Sequence, residues 1–333
     1  MLSRVAEAIY WMCRYIERAE NVARFIDVNL HLMLDLSVDP EGQWEPLITV
    51  TGDRRIFKGR YGEPSAENVI RFLTFDLDYP NSIIACLRVA RENARQVREI
   101  ISSEMWEQVN RFYLTVAEAS RNDRAFDRWH QFFEEVKLNS HLLTGLTEVT
   151  MSHGEAWHFA RMGRLLERAD KTSRILDVKY FILLPKVEYV NTPYDNIQWA
   201  AVLKSVSGLE MYRKQYHRIN PKSVCEFLIF DRQFPRAIRY CLTAAESSLY
   251  AVTGNAAGTI CNIAERKLGR LRADLDYADI DEIVDFGMHD YLDRFQTKLN
   301  AVGDSLASTF FGSAAVPPKS IADVTCQDPS MVS

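Results

Sequence analysis

Two stretches of this sequence recur in the same order about 150 residues further along, and this repetition limits the possible folds more than any other feature. Residues 14–28 share seven identities with residues 164–178. Residues 69–90 align in the same way with residues 224–245, with phenylalanine, aspartate, proline, isoleucine and cysteine at matching positions. Matches that recur in one order predict a tandem duplication.

The repeat divides the chain into three predicted parts. We expect a first pseudo-repeat over 1–150, a second over 151–311, and a poorly ordered tail over 312–333, where the composition changes to Gly, Ser, Ala and Pro. A chain of 333 residues is long enough for about two domain-sized units. We expect the pseudo-repeats to be related by an approximate twofold axis and to pack as one helical body.

Apolar residues recur at spacings of three and four along several stretches of the chain, which is the pattern of amphipathic helices. These stretches are 5–30, 82–116, 123–143, 155–184 and 237–252. Alternation with a period of two, which would predict strands, is almost missing. The sequence therefore predicts an all-α fold, a multi-helix bundle built from the two pseudo-repeats.

The composition excludes some classes of protein. Hydrophobic residues make up 47% of the chain and charged residues 26%, which is typical of a globular protein. The chain has 40 basic and 45 acidic residues, so its net charge is −5. Because no surplus of positive charge is left to neutralise phosphates, we expect no nucleic-acid partner.

Membrane and secretory segments are not predicted either. The sequence has no window of about 18 uncharged apolar residues, and charged residues precede any apolar stretch at the N-terminus. The six cysteines are scattered and form no C-x-x-C pair, which favours a reducing compartment. We therefore expect a cytoplasmic protein that makes no membrane contact.

The helix predicted around residues 14–28 has a charged face opposite its apolar stripe. Acid-then-base pairs such as Glu20 with Arg24 are common on solvated helix faces, where each contributes a few tenths of a kcal/mol. Solvated pairs tolerate changes of residue, so the recurrence of arginine and glutamate in both copies favours either buried ion pairs between helices or a shared binding surface. This face consists of Arg14, Glu17, Asn21 and Arg24 in the first copy and of Arg164, Glu167, Lys171 and Arg174 in the second.

A second charged stretch lies in the helix predicted over 82–116. Arg95 is placed to pair with Glu99, and the arginine fork suits a carboxylate or a phosphate. The alternative is a solvated helix face on which Trp106 is a core anchor. The arginines on this side of the helix are Arg91, Arg95 and Arg98.

Motifs for the common catalytic sites are missing from the sequence, including phosphate-binding glycine loops, the nucleophile elbow and the His-Glu-x-x-His zinc motif. Glu155 and His158 have the Glu-x-x-His spacing of di-iron sites, but such sites need a second motif on another helix. Asp127 with His130 is the nearest substitute. The other histidines, among them His31, show no metal-ligand spacing. We therefore predict no metal site and no cofactor.

Several motifs carry a resemblance to a known family. Together they resemble the bacterial Alpha-E family, and the similarity extends from the N-terminus to about Leu306. The motifs are Tyr10-Trp11-x-x-Arg14-Tyr15-x-Glu17-Arg18-Ala19-Glu20-Asn21-x-Ala23-Arg24, Ala90-Arg91-Glu92-Asn93-Ala94-Arg95, Ser103-Glu104-Met105-Trp106-Glu107 and Gly163-Arg164-x-x-Glu167-Arg168-Ala169.

The resemblance implies an all-helical protein from a family named for its helices and its recurring glutamates. Family members occur beside, or fused to, a circularly permuted ATP-grasp ligase, and often near transglutaminase-like proteases and a proteasome-like peptidase. This setting implies a role in making or turning over a peptide or an amide-linked product. The ligase chemistry would belong to the ATP-grasp partner, because this chain has no loop that cradles a phosphate.

The candidate interaction residues come from two sources. The resemblance supplies Glu17, Arg18, Glu20, Arg24, Glu92, Asn93, Arg95, Glu104, Glu167 and Arg168. The spacing pattern adds Arg14, Asn21, Arg91, Trp106, Arg164, Asp170 and Arg174.

We expect a non-catalytic accessory protein that binds the ATP-grasp ligase, or its acidic peptide substrate or product, through these Arg/Glu stripes. A transglutaminase-like protease is a second predicted partner. One alternative is an enzyme that acts on a peptide or an amine with carboxylates and arginines at the interface of the two repeats. Another is a structural module that forms a homo-oligomer.

Overall fold

The computed structural model describes residues 1–35, 44–51, 54–121, 128–182 and 193–312. Within these ranges the chain forms fifteen α-helices and one π-helical turn, and contains no strand, so the predicted all-α fold is confirmed. The predicted tail, apart from Gly312, lies outside them. The helices are α1 (Ser3–Asp35), α2 (Glu45–Thr51), α3 (Arg54–Tyr61), α4 (Ala66–Phe75), α5 (Ile83–Gln96), α6 (Ser103–Ala119), α7 (Trp129–Thr150), α8 (Glu155–Ile182), α9 (Pro193–Ser205), α10 (Leu209–Tyr216), α11 (Pro221–Phe230), α12 (Ile238–Thr253), α13 (Ile263–Asp276), α14 (Ile280–Phe286) and α15 (Met288–Leu306), followed by the π-helical turn Ala307–Phe311.

The long helix α1 lies at the centre of the fold. It packs against α5, α7 and α8, and α8 in turn packs against α12 and α15. Buried residues of α1 such as Ile9, Met12 and Ile16 follow the predicted helical spacing. The buried residues of both predicted pseudo-repeats form one continuous hydrophobic cluster, which places α1 and α8 side by side in the interior.

The helices α1 and α8 run in the same direction and approach closely. The terminal amine of Met1 binds Glu155 at 2.7 Å, and Arg18 binds Glu167 further along both helices. Between these contacts, a Cβ atom at Gly163 would lie 2.3 Å from the backbone oxygen of Tyr10. Only glycine fits there without a shift of the backbone, so Gly163 sets the spacing of the two helices.

Matched residues of the two repeated segments make matched contacts. The rings of Phe72 and Tyr79 stack with centroids 4.1 Å apart, and those of Phe227 and Phe234 stack at 4.7 Å. The thiol sulfur of each repeated cysteine lies near the carbonyl oxygen of the preceding repeated proline, at 3.5 Å in the first segment and 3.4 Å in the second. These contacts support the predicted duplication.

The prediction of one helix over 82–116 is wrong. Helix α5 ends at Gln96, and the next residue, Val97, has left helical geometry with φ −121° and ψ 24°. A new helix, α6, begins at Ser103 because the Ser102 hydroxyl caps it by accepting the N–H of Met105. The turn between them redirects the chain, so the charged residues before and after it belong to different helices.

A separate expectation concerned membranes. Among the helices of the described residues, none has a stretch both long and apolar enough to cross a bilayer.

Candidate functional site

Two glutamate–arginine pairs are exchanged between α1 and α8. Arg168 of α8 donates from Nε and Nη2 to the two carboxylate oxygens of Glu17 on α1, each at 2.8 Å. Arg18 of α1 donates from Nε to Glu167 Oε1 at 2.7 Å and from Nη2 to Oε2 at 3.1 Å. Both pairs are bidentate, which is the strong and geometrically specific form. We call these four residues and the polar side chains bonded to them the ion-pair layer.

The order of glutamate and arginine along each helix explains the exchange. Neighbouring residues of an α-helix point about 100° apart, so each glutamate faces the partner helix while the next arginine reaches along it. Glu17 and Glu167 are 1% and 0% exposed. The side chains of Arg18 and Arg168 are 17% and 13% exposed. The carboxylates are therefore interior, and the arginines enter from the edge of the contact.

Arg236, which precedes α12, joins the Glu17 end of the layer. It donates from Nη1 to Glu17 Oε1 at 3.1 Å and to Asn21 Oδ1 at 3.3 Å. Its Nη2 donates to Glu20. Asn21 donates in turn to Glu17 Oε1 at 3.1 Å. A single buried arginine thus bridges two buried carboxylates that lie one turn apart on α1.

Glu20 is also held by side chains from α1 and from α7. Arg24 Nε donates to Oε1 at 2.8 Å, and Ser140 Oγ donates to Oε2 at 2.6 Å. His141 Nε2 lies 3.2 Å from Oε1. Arg24 Nη1 continues to Ser207 Oγ at 2.6 Å. The predicted pair of Glu20 with Arg24 is present, but it is buried rather than on a solvated face.

Cationic side chains of both α1 and α8 bind the Glu167 carboxylate. Arg14 Nε donates to Glu167 Oε2 at 2.8 Å, and Lys171 Nζ lies 3.5 Å from Oε1. Lys171 also binds Asp170 at 3.0 Å. Arg174 Nε donates to the same Asp170 oxygen at 3.0 Å. Two carboxylates of α8 are therefore neutralised by cations one turn away or on the adjacent helix.

The carboxylates of the layer are held in the ionised form. Burial alone would raise the pKa of Glu167, but the charges of Arg18 and Lys171 outweigh burial and hold this pKa well below its ordinary value. The pKa of Glu20 is also well below its ordinary value, because Arg236, the hydrogen bond with His141 and the charge of Arg24 together outweigh burial. The pKa of Glu17 is lowered, chiefly by Arg168. A carboxyl kept ionised in this way is unsuited to act as a general acid near neutral pH.

The structure brings together residues that the sequence pattern left apart. The α7 partners of Glu20, Ser140 and His141, were not predicted, because they come from a distant part of the sequence. Arg236 carried a signal, since it replaces Asn81 of the first repeated segment. Conversely, the predicted residue Arg164 binds Glu148 of α7 at 3.0 Å.

The predicted residues on α5 lie away from the layer. Arg91 Nε donates to Asn110 Oδ1 of α6 at 2.6 Å. Arg95 Nε donates at 2.9 Å to Glu92, which lies one turn before it, whereas the expected pairing was with Glu99, one turn after it. These contacts tie the surface of α5 to itself and to α6.

The remaining predicted residues are also outside the layer. Trp106 is half-buried, and the Arg98 guanidinium lies over its ring at 4.8 Å from the centroid. Glu104 is exposed in the first turn of α6, and Asn93 is half-buried on α5. The candidate residues therefore divide into an interior group on α1 and α8 and a surface group on α5 and α6.

The predicted metal motifs do not combine. Glu155 binds the terminal amine of Met1 at 2.7 Å. Burial lowers the pKa of His158. Asp127 lies outside the described residues. Neither Glu155 nor His158 belongs to the group of potential metal ligands that the described part of the chain contains.

That group consists of Asp27, His31 and His130, whose ligand atoms all lie within 4.8 Å of one another. The view that His31 has no metal-ligand spacing was wrong, because Asp27 precedes it by one helical turn. His130 was considered only with Asp127, whereas its neighbour in the fold is Asp27. Two imidazoles and one carboxylate are a ligand set that suits zinc and similar ions.

A family model matches residues 1–311 of the chain. This family is Alpha-E, described as a predicted alpha-helical domain with a conserved ER motif. The Glu-Arg dipeptides at 17–18 and 167–168, which form the exchanged pairs, fit that motif.

Similar proteins occur in mycobacteria. An uncharacterized protein of Mycobacterium bovis is 23% identical over 270 residues, and uncharacterized proteins from two strains of Mycobacterium tuberculosis are 23% and 22% identical over the same length. Each match covers 76% of this chain, which spans only 30% of the length of each relative. No solved structure matches the chain significantly.

Proposed function

Because this chain belongs to the Alpha-E family, we propose that it is a helical accessory protein of a peptide- or amide-forming system. Its proposed partner is a circularly permuted ATP-grasp ligase, which carries out the chemistry. The helical body contributes binding and positioning rather than catalysis.

The observation that carries this proposal is the length of the relatives. The matching region occupies 30% of each mycobacterial relative, so in those proteins the helical region is joined to further chain. Covalent linkage raises the effective concentration of two modules for each other. A module that is joined to a second domain in one protein is a natural candidate to bind such a domain as a separate chain in another.

The ion-pair layer supports the body but is not itself the contact surface. Glu17, Glu20 and Glu167 are at most 1% exposed, so a partner would have to separate α1 from α8 to reach them. Breaking a buried ion pair by removing one member costs about 3–5 kcal/mol. The predicted binding role of these stripes is therefore replaced by a structural one, in which the layer holds α1 and α8 in register.

Arginines of α5 and of the turn after it, together with Trp106 of α6, offer a surface for the partner. The side chain of Arg95 is 62% exposed. The Arg91 guanidinium lies over the ring of Tyr113 at 5.3 Å. Arginine and aromatic residues are enriched in protein interfaces, and guanidinium groups bind carboxylates. We call Arg91, Arg95, Arg98 and Trp106 the α5–α6 surface.

The enzyme alternative gains no support from the ion-pair layer. Its carboxylates accept hydrogen bonds from arginines, and the pKa values of Glu17, Glu20 and Glu167 are lowered. Groups that donate or abstract protons in catalysis need a pKa near the working pH. We therefore keep catalysis on the partner.

A binding measurement with the ATP-grasp ligase of the same genome tests the proposal. Arg95→Glu reverses one charge on the α5–α6 surface, where Arg95 pairs with Glu92. Arg71→Glu is the matched control, because this α4 side chain is 45% exposed and also pairs with a glutamate of its own helix. We expect Arg95→Glu to weaken binding by about tenfold or more, and Arg71→Glu to leave it unchanged.

Isothermal titration calorimetry gives the affinities, and native mass spectrometry gives the stoichiometry. The proposal is contradicted if wild-type chain and ligase form no complex at about 100 μM. It is also contradicted if the isolated chain, supplied with candidate peptides and amines, converts them without the ligase. A complex that Arg95→Glu and Arg71→Glu weaken equally keeps the partner but removes the α5–α6 surface from the proposal.

A further inference from the structure

Asp27, His31 and His130 form a compact group at one edge of the fold. Asp27 and His31 lie one turn apart towards the end of α1, and His130 lies in the first turn of α7. The Asp27 side chain is buried, whereas those of His31 and His130 are 46% and 58% exposed. An ion could therefore reach the group from solvent while its carboxylate stays fixed in the protein.

The distances around Asp27 are close to those of a metal site. Asp27 Oδ1 lies 2.7 Å from His130 Nδ1 and 3.8 Å from His31 Nδ1. Ligand atoms about 2.0–2.1 Å from a tetrahedral zinc ion are about 3.3 Å apart from one another. The two distances lie on either side of this value, so binding of an ion requires His130 to move away from Asp27 Oδ1 and His31 to move towards it.

The other atoms of the group are arranged in a way that leaves ligand positions available. Lys137 Nζ donates to Asp27 Oδ2 at 2.6 Å, which fixes the carboxylate and leaves Oδ1 facing the histidines. His31 Nδ1 lies 2.8 Å from the backbone oxygen of Asp27. When Nδ1 donates to that oxygen, Nε2 alone carries a lone pair for an ion, and binding through Nδ1 requires the other tautomer with this hydrogen bond broken. Such outer contacts orient the ligands of metal sites.

The predicted second pseudo-repeat, 151–311, contains a related Asp–His pair. His289 Nδ1 lies 2.7 Å from Asp177 Oδ1, the same distance as between His130 and Asp27. Asp177 is the sequence equivalent of Asp27, and Phe181 stands at the position of His31. An Asp–His contact is thus present in both predicted pseudo-repeats. In the first, His31 adds a third potential ligand.

We propose that Asp27, His31 and His130 bind a divalent transition-metal ion, with Zn²⁺ as the best match to their chemistry. Two imidazole nitrogens and one carboxylate oxygen supply three ligands, and a fourth position is left for water or an exogenous ligand. Three protein ligands with an open fourth position differ from closed structural zinc sites, in which four protein ligands surround the ion.

Zinc titration of the metal-stripped full chain tests this proposal. His31→Phe introduces the residue that stands at the equivalent position 181. His130→Ala removes the ligand from α7. His289→Ala is the matched control, because it removes the same kind of Asp–His contact from the predicted second pseudo-repeat. Isothermal titration calorimetry gives the stoichiometry and affinity, and cobalt substitution with visible absorption reports the ligand geometry.

We expect one saturable site in the wild type, a loss of affinity of at least about tenfold in both His31→Phe and His130→Ala, and no change in His289→Ala. Thermal unfolding without metal shows whether each variant is folded, and zinc should raise the melting temperature of the wild type but not that of His31→Phe. The absence of a saturable site in the wild type would overturn the proposal. So would an equal loss of affinity in His289→Ala.

Discussion

The two ends of the ion-pair layer share one contact and differ in what surrounds it. At each end a glutamate accepts a bidentate arginine from the opposite helix. The Glu17 end is also bridged by Arg236, which comes from the segment before α12. The Glu167 end receives Arg14 from α1 and Lys171 from its own helix. The bidentate glutamate–arginine contact at both ends joins α1 to α8. The ends differ in the additional side chains that bind each glutamate.

The difference between the ends begins at one pair of equivalent positions. Asn81 of the first segment accepts a hydrogen bond from Arg18 at 2.8 Å. Arg236 stands at the equivalent position of the second segment and donates to Glu17 and Glu20 instead. In the first segment the neutral Asn81 accepts one hydrogen bond from Arg18. In the second segment the cation Arg236 binds two buried carboxylates, those of Glu17 and Glu20.

The largest expected effect comes from removing each exchanged carboxylate. Glu17→Gln removes the carboxylate from Arg168 and leaves Arg236, which is 7% exposed, with Glu20 as its acidic partner. Glu167→Gln removes the carboxylate from Arg14 and Arg18, which are 15% and 17% exposed and so nearer to solvent. We expect losses of about 4 kcal/mol for Glu17→Gln and about 3 kcal/mol for Glu167→Gln. Urea unfolding at neutral pH measures both. Equal losses would show that the two ends do not differ in burial energetics.

The next comparison concerns the equivalent positions 81 and 236. Arg236→Ala removes donors to Glu17, Glu20 and Asn21, and we expect it to lower the free energy of unfolding by about 3 kcal/mol. Asn81→Ala removes one acceptor from Arg18 and should cost about 1 kcal/mol. The same unfolding experiment ranks the two variants. A larger loss in Asn81→Ala would mean that the Arg236 bridge is not what distinguishes the ends.

Substitution of two glycines by alanine is expected to change the free energy of unfolding by smaller amounts and in opposite directions. Gly163→Ala places a methyl group against the backbone of Tyr10 and should cost about 2 kcal/mol, since overpacking forces the helices apart. Gly145→Ala meets no atom within 4 Å on an exposed part of α7 and should add about 0.5 kcal/mol through helix propensity. Thermal unfolding distinguishes them. A stable Gly163→Ala variant would show that α1 and α8 can separate without loss.

The smallest expected effect is the dependence of the free energy of unfolding on pH, which appears only in acid. Because the pKa of Glu167 is lower in the folded protein than its ordinary 4.5, the unfolded chain binds a proton first as the pH falls. The stabilisation is therefore complete above about pH 4.5 and declines below it, by at most about 1.4 kcal/mol per pH unit for one group. Unfolding of Glu167→Gln at a series of acidic pH values should show a shallower decline than the wild type. If stability declined equally steeply with falling pH in both proteins, the pKa of Glu167 would not be lowered by its cationic neighbours.

Much of the fold was predictable from local patterns. Apolar spacing predicted the all-α class and most of α1 and α8, because long amphipathic helices carry a strong periodic signal. The break between α5 and α6 was not predicted, since it depends on Val97 leaving helical geometry and on the Ser102 cap within a stretch that keeps helical spacing. The duplication stays a prediction that the matched contacts support.

The candidate site was predictable only in part. Recurrence of the Glu-Arg dipeptides in both segments indicated ion pairs between helices, because solvated pairs need not recur. The sequence did not reveal that Arg236 enters the same layer or that His130 lies beside Asp27. Both contacts join residues more than 100 positions apart, and such neighbours are set by helix packing rather than by spacing along one helix.

A double-mutant cycle on Glu17 and Arg168 tests most directly whether the exchanged pairs join α1 to α8. The free energies of unfolding of wild type, Glu17→Gln, Arg168→Met and the double variant are measured under one set of conditions. The bidentate contact at 2.8 Å predicts that the double variant loses about 2–3 kcal/mol less than the sum of the single losses. Additivity within about 0.5 kcal/mol would contradict the account, because the two residues would then stabilise the fold independently.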